Sequence, residues 1–119
     1  MDRINVGIIG CGKIAGKHLK SYQKIDDFDV TVTDIQSDRA RETASKHNVA
    51  WENDPEMVLE DSDIDAIDVC VPVTAHRSIV ETALYEGKDV FCEKPLAQTT
   101  EDAIKIREVA DETGNIVMV

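Results

Sequence analysis

Ile4-Asn5-Val6-Gly7-Ile8-Ile9-Gly10-Cys11-Gly12-Lys13-Ile14-Ala15-Gly16 is the stretch that decides the architecture. Residues 4–9 form a near-continuous apolar run closed by Gly10, the pattern of a strand buried on both faces. Directly after the glycine turn, Ile14, His18, Leu19, Tyr22 and Ile25 recur at helical spacing. A doubly buried strand running at once into an amphipathic helix is the opening unit of a parallel sheet.

Outward from that unit the alternation continues. Residues 28–33 read as a second strand ending at Asp34, and Ser37 is placed to cap a helix carrying Ala40, Ala44 and His47 on one face. Residues 49–51 read as a short strand. Asp54 before Pro55 starts a helix with Met57, Val58 and Leu59, because Pro suits the first helical position. Residues 66–71 form another buried strand, closed by Pro72. His76, Ile79, Val80, Ala83 and Leu84 follow at helical spacing up to Gly87, a left-handed C-terminal cap. Residues 88–92 are the next strand. Thr99 or Thr100 opens a helix with Ala103, Ile106 and Ala110 on its apolar stripe, Gly114 ends it, and residues 116–119 begin a last strand. The expected fold class is α/β: a doubly wound parallel sheet of about six strands, with right-handed crossovers and helices on both faces.

The length of 119 residues suits one domain. Twenty-four Asp and Glu against thirteen Lys and Arg give a formal charge of −11, which argues against nucleic acid or an anionic membrane as partner. A phosphate held by backbone amides is compatible with that charge. There is no apolar run long enough for a membrane span and no long apolar leader before Gly7. Cys11, Cys70 and Cys92 form no CxxC pair, and their odd number fits reduced thiols in a cytoplasmic protein. No Cys/His/carboxylate spacing resembles a metal site, and His18 and His47 read as surface or helix-face residues without partners.

Four places at strand ends carry chemistry. Gly10-x-Gly12-x-x-Ala15 matches the dinucleotide fingerprint in its strand-to-helix context. Gly10 permits the turn, Gly12 clears a path for a pyrophosphate, and the helix start at Lys13 and Ile14 offers free N–H groups. Asp34 lies about 20 positions further on, where a carboxylate accepts from ribose hydroxyls and repels a 2′-phosphate, so NAD is favoured over NADP. Arg39, five residues later, is the counter-signal. Val71 and Pro72 close the fourth strand in a loop expected under the nicotinamide half, with His76 bonding or orienting that loop. Cys92-Glu93-Lys94-Pro95-Leu96 follows the fifth strand. A methyltransferase is a poorer reading, since Ile8 and Ile9 precede the loop and Glu-Lys-Pro has no role there.

Taken together, the glycine loop, Asp34, Pro72-x-x-x-His76, Gly87-Lys88-x-Val90 and Glu93-Lys94-Pro95-Leu96-Ala97 resemble the Gfo/Idh/MocA oxidoreductases along the whole chain and in the family's order. The resemblance implies an N-terminal Rossmann domain spanning residues 1–119, followed in the family by a larger α+β domain that binds substrate and often mediates oligomers. It implies that Lys94 lies by the nicotinamide and assists proton transfer at a substrate hydroxyl. Glu93 orients that lysine or touches the nicotinamide ribose, and the Lys94–Pro95 peptide is often cis. Val73 stands where many relatives have Asn. The expected function is the cofactor domain of an NAD-dependent dehydrogenase for a sugar, cyclitol or nucleotide sugar. The last strand stops at the last residue, so a substrate domain beyond Val119 is expected. The alternative is a stand-alone nucleotide-binding or interaction module, whose uncovered apolar surface favours a homo-oligomer.

Overall fold

The computed structural model describes residues 3–119; Met1 and Asp2, part of the segment read for a leader, lie outside it. Six strands alternate with five helices: β1 (Ile4–Ile9), α1 (Lys13–Gln23), β2 (Phe28–Thr33), α2 (Ser37–His47), β3 (Ala50–Glu52), α3 (Pro55–Glu60), β4 (Ala66–Val69), α4 (His76–Tyr85), β5 (Asp89–Cys92), α5 (Thr100–Thr113) and β6 (Val117–Met118). A 3-10 turn at Val73–Ala75 leads into α4. All strand pairs are parallel, in the order β3-β2-β1-β4-β5-β6. The expected α/β class is therefore the observed one.

Alternation along the strands sorts the core into two layers. Ile9, Ile67, Val69 and Val90 face α3, α4 and α5, where Val58, Leu59, Val80, Leu84 and Ile106 meet them. Val6, Ile8 and Val32 face α1 and α2, against Ala15, Leu19, Ala40 and Ala44. Small alanines on α1 and α2 let these helices lie close to the strands. Gly7 has a similar role on the other face, since a side chain there would run into Val58 Cγ1.

Two helix starts and two helix ends follow the local chemistry read from the sequence, and one start departs from it. Asp54 caps α3 by accepting from Glu56 N–H, and Thr99 caps α5 by accepting from Asp102 N–H. Gly87 and Gly114 take left-handed φ of 77° and 76° after α4 and α5. The exception is α2: its N-cap is Gln36, without a side-chain cap, and Ser37 is already helical. Asp34 takes over that task, its Oδ1 accepting from Gln36 N–H at 2.8 Å. β1 and β2 have the expected bounds, and the ends of the other strands fall within two residues of the sequence expectation. Thus β3 is shifted by one to residues 50–52, and β4 stops at Val69 because Cys70 and Val71 already turn toward Pro72. Among the described residues no helix is long and apolar enough to cross a membrane.

Candidate functional site

The register aligns the carboxyl ends of four strands. Ile9 stands opposite both Thr33 and Val69, and Val69 opposite Cys92. The ladder continues one step beyond the strands: Gly10 N–H donates to Thr33 O at 2.8 Å, Cys70 N–H to Ile9 O at 2.8 Å, and Glu93 N–H to Val69 O at 3.1 Å. The loops after β1, β2, β4 and β5 therefore leave from one edge. Chain crossovers run in opposite directions from β1 and β4, which opens a crevice between them at the switch point of the sheet.

At that crevice the glycine loop is built for close approach. Gly10 has φ +103°, and a Cβ on it would lie 2.5 Å from Cys70 O, so no other residue fits without moving the backbone. Gly12 has an ordinary φ of −84° and open space where its Cβ would stand. Its missing side chain serves space outside the protein rather than packing within it. Gly12 is also the N-cap of α1 and provides no side-chain cap, leaving the first-turn amides free of one. Lys13 and Ile14 are exposed there.

Asp34 is only 5% exposed. Its Oδ2 accepts from Cys11 N–H at 2.8 Å, so the carboxylate fastens the glycine loop to the start of α2 through its two oxygens. Each oxygen keeps acceptor capacity for a further donor. Arg39 Nη1 lies 4.0 Å from Oδ2, so the counter-signal read in the sequence sits beside the carboxylate. Ile35, 87% exposed, stands next to it. Beside Asp34, burial and then the carboxylate's charge push the Cys11 thiol up to about 11.

On the other side of the crevice, Val71 is half-buried and Pro72 exposed. His76 is 1% exposed, its Nε2 2.8 Å from Val71 O and its Nδ1 2.8 Å from Pro95 O and 3.2 Å from Leu96 O. Carbonyls only accept, so a ring nitrogen that carries a proton donates, and the ring spans the loops after β4 and β5. Its nitrogens are thereby occupied inside the protein. The Lys94–Pro95 peptide is cis. Lys94 is exposed and, among the described residues, makes no hydrogen bond or ion pair, so its ammonium is free at the crest of the site.

Sequence reasoning missed the cluster beneath this loop. His18 is not a partnerless helix-face residue. Its Nδ1 lies 2.8 Å from Asp68 Oδ2 and its Nε2 3.1 Å from Glu93 Oε2, while its ring stacks on Phe91 with centroids 5.5 Å apart. Tyr22 Oη donates to the same Asp68 oxygen at 2.9 Å. The partners of His18 come from β4 and from just beyond β5, far away in sequence; only the polar Asp68 within an apolar strand run signalled a buried network. His18, Asp68 and Cys70 also bring three ligand-type atoms within 4.8 Å of one another, a grouping that no sequence spacing announced. Hydrogen bonds link these atoms: Cys70 Sγ lies 3.4 Å from Asp68 Oδ1 and 3.5 Å from His18 Nδ1, and burial and then the Asp68 charge push the Cys70 thiol up. Lys88 is buried at the opposite end of the sheet, where Nζ donates to Asp61 O and Ile64 O, so this part of the Gly87-Lys88 motif is structural.

The model of the oxidoreductase family with an NAD-binding Rossmann fold, Gfo/Idh/MocA, matches residues 4–119. The chain belongs to this family. The matched model is that of the family's NAD-binding Rossmann fold. The inositol 2-dehydrogenase/D-chiro-inositol 3-dehydrogenase of Shouchella clausii is 39% identical over 110 residues, covering 88% of this chain and 32% of that protein. The myo-inositol 2-dehydrogenase of Thermotoga maritima is 34% identical over 107 residues, covering 88% and 32%. A 3-ketoreductase from Actinomadura kijaniata, solved with NADP and TDP-benzene, superposes with a TM-score of 0.92 at 30% identity over 98% of this chain and 37% of its own. The chain spans about a third of the length of these Gfo/Idh/MocA relatives.

Proposed function

We propose that this domain binds NAD in preference to NADP and serves a dehydrogenase acting on a hydroxyl of a sugar, cyclitol or nucleotide sugar. The observation that carries the cofactor reading is Asp34: a carboxylate held by two backbone amides at the end of β2, tied directly to the glycine loop. Gly10 and Gly12 bring the backbone close to a diphosphate, and the amides of Lys13 and Ile14 at the start of α1 hold it. Asp34 accepts from the ribose hydroxyls and disfavours a phosphate at that position. Ile35 gives the adenine an apolar surface. Val71 and Pro72 line the nicotinamide half, and His76 acts through the loops it joins. The Actinomadura reductase was solved with NADP, so the preference here rests on Asp34 prevailing over Arg39.

The bound nicotinamide supplies the hydride chemistry. The chain's own part in the reaction falls to Lys94, whose amine takes up the hydroxyl proton when the substrate is oxidised and whose ammonium returns it in the reverse direction, with Glu93 beside it. A following domain supplies the remaining substrate contacts, in keeping with relatives about three times as long. The inositol dehydrogenases among the relatives support a polyhydroxylated substrate. Isothermal titration of the folded chain with NAD and NADP tests the cofactor reading. NAD is expected to bind at least about tenfold more tightly; equal affinities overturn the preference.

A further inference from the structure

We infer that His18 is a positioning residue of the reaction site, holding Glu93 and through it the direction of Lys94. The inference rests on the role proposed above for Lys94. His18 projects from the middle of α1, the helix whose first turn faces the diphosphate position. It is the one side chain described that bonds this helix to the Glu93-Lys94-Pro95 loop. Three constraints fix the ring. Nδ1 meets Asp68, which is fully buried; Nε2 meets Glu93; and Phe91 stacks on it at an interplanar angle of 18°. Carboxylate oxygens accept, so a ring nitrogen that carries a proton donates to the acid beside it. Asp68 is fixed in turn by Tyr22.

A purely structural role for His18 would be complete with Asp68, since the buried carboxylate is the group that needs a partner. The second arm is different in kind. Glu93 is partly exposed and can be solvated without help, so the bond to it stabilises the protein little but restricts the loop. It sets the carboxylate immediately before Lys94 at a fixed distance from the diphosphate helix. The two halves of the cofactor site are thereby held in one geometry, the condition for a reacting group to act at its full rate.

The two arms can be separated. An asparagine amide can take the place of Nδ1 but does not reach as far as Nε2, so His18→Asn keeps the bond to Asp68 and removes the one to Glu93. Glu93→Ala removes the same bond from the other side. The folded chain and both variants are titrated with NADH and with ADP-ribose, which lacks the nicotinamide. For each variant, NADH affinity is expected to fall about tenfold and ADP-ribose affinity to change less than about twofold, with the double variant no worse than either single one. Nitrogen-15 relaxation on the ligand-free chain is expected to give lower order parameters at Glu93 and Lys94 in His18→Asn. Equal losses for both ligands, or no loss of NADH affinity in variants of a chain that binds it, overturn the inference and leave the cofactor reading standing. If the unaltered chain binds neither ligand, the cofactor reading fails, and unchanged order parameters then overturn the role of His18 as well. Should His18→Asn not fold, Glu93→Ala carries the same comparison.

Discussion

Two glycines separated by one residue are expected to respond in opposite ways to the same substitution. At Gly10 an alanine methyl would lie 2.5 Å from Cys70 O and 2.7 Å from Cys70 C, in a backbone conformation with φ +103°. The conformational strain costs about 1–2 kcal/mol. Pushing apart two neighbouring strand ends costs roughly 1–3 kcal/mol more. The sum, about 2–5 kcal/mol, compares with the 5–15 kcal/mol typical of a whole domain. Urea unfolding of Gly10→Ala is expected to show that loss, with a melting temperature lower by roughly 10–20 °C. At Gly12 the same methyl meets nothing within 4 Å, and φ is −84°. The weaker cap and the stiffer unfolded chain oppose each other, so stability should stay within about 1 kcal/mol. Affinity for NADH should instead fall by about tenfold or more, because the methyl fills the approach to the α1 amides. A Gly10→Ala chain as stable as the parent, or a Gly12→Ala chain with unchanged NADH affinity, would refute this division of labour.

Three further outcomes are expected. Asp34→Ala leaves the amides of Cys11 and Gln36 without their acceptor, so it should cost about 1–3 kcal/mol in urea unfolding and weaken NAD more than NADP in calorimetry; NAD and NADP affected alike would remove Asp34 from cofactor selection. Burial, followed by the charge of Asp34 for one thiol and of Asp68 for the other, raises Cys11 and Cys92 from 9.0 to about 11 in the fold. Between those pH values the unfolded chain holds fewer protons than the native one, so the urea midpoint should fall steadily as pH rises from 9 toward 11; a flat profile contradicts it. Lys94→Ala removes an exposed side chain without partners, so unfolding should change by less than about 0.5 kcal/mol, and a larger loss would mean that Lys94 is structural.

The fold was legible because both of its periodicities are strong. Ile4–Ile9 and Ala66–Val69 are apolar enough to be doubly buried, and Asp54-Pro55 and Gly114 mark helix ends by chemistry that acts within a few residues. The glycine loop, Asp34 and the Glu-Lys-Pro segment could be placed at one edge, because parallel strands all end there. What escaped was set by contacts across the sheet. Nothing near Gln36 announces that Asp34, rather than Ser37, organises the start of α2. Nothing near His18 announces Asp68 or Glu93, since a helix residue meets them only after β1, β4 and β5 lie side by side. Likewise, the sequence had His76 bonding or orienting the loop after β4, but nothing near it announces the carbonyls of Pro95 and Leu96 beyond β5.

The strand order also dictates how the chain comes off the ribosome. β2 can join β1 as soon as α1 has emerged, but the other flank of β1 waits for β4, whose Val69 is made about sixty residues after Ile9. At about 5–20 residues per second that interval lasts several seconds. During it the backbone of Val6, Ile8 and Ile9 presents an open, apolar strand edge, the kind that recruits other nascent chains. The same placement of β1 at the centre of the sheet that opens the crevice for a cofactor thus leaves one flank of the strand unpaired until β4 is made.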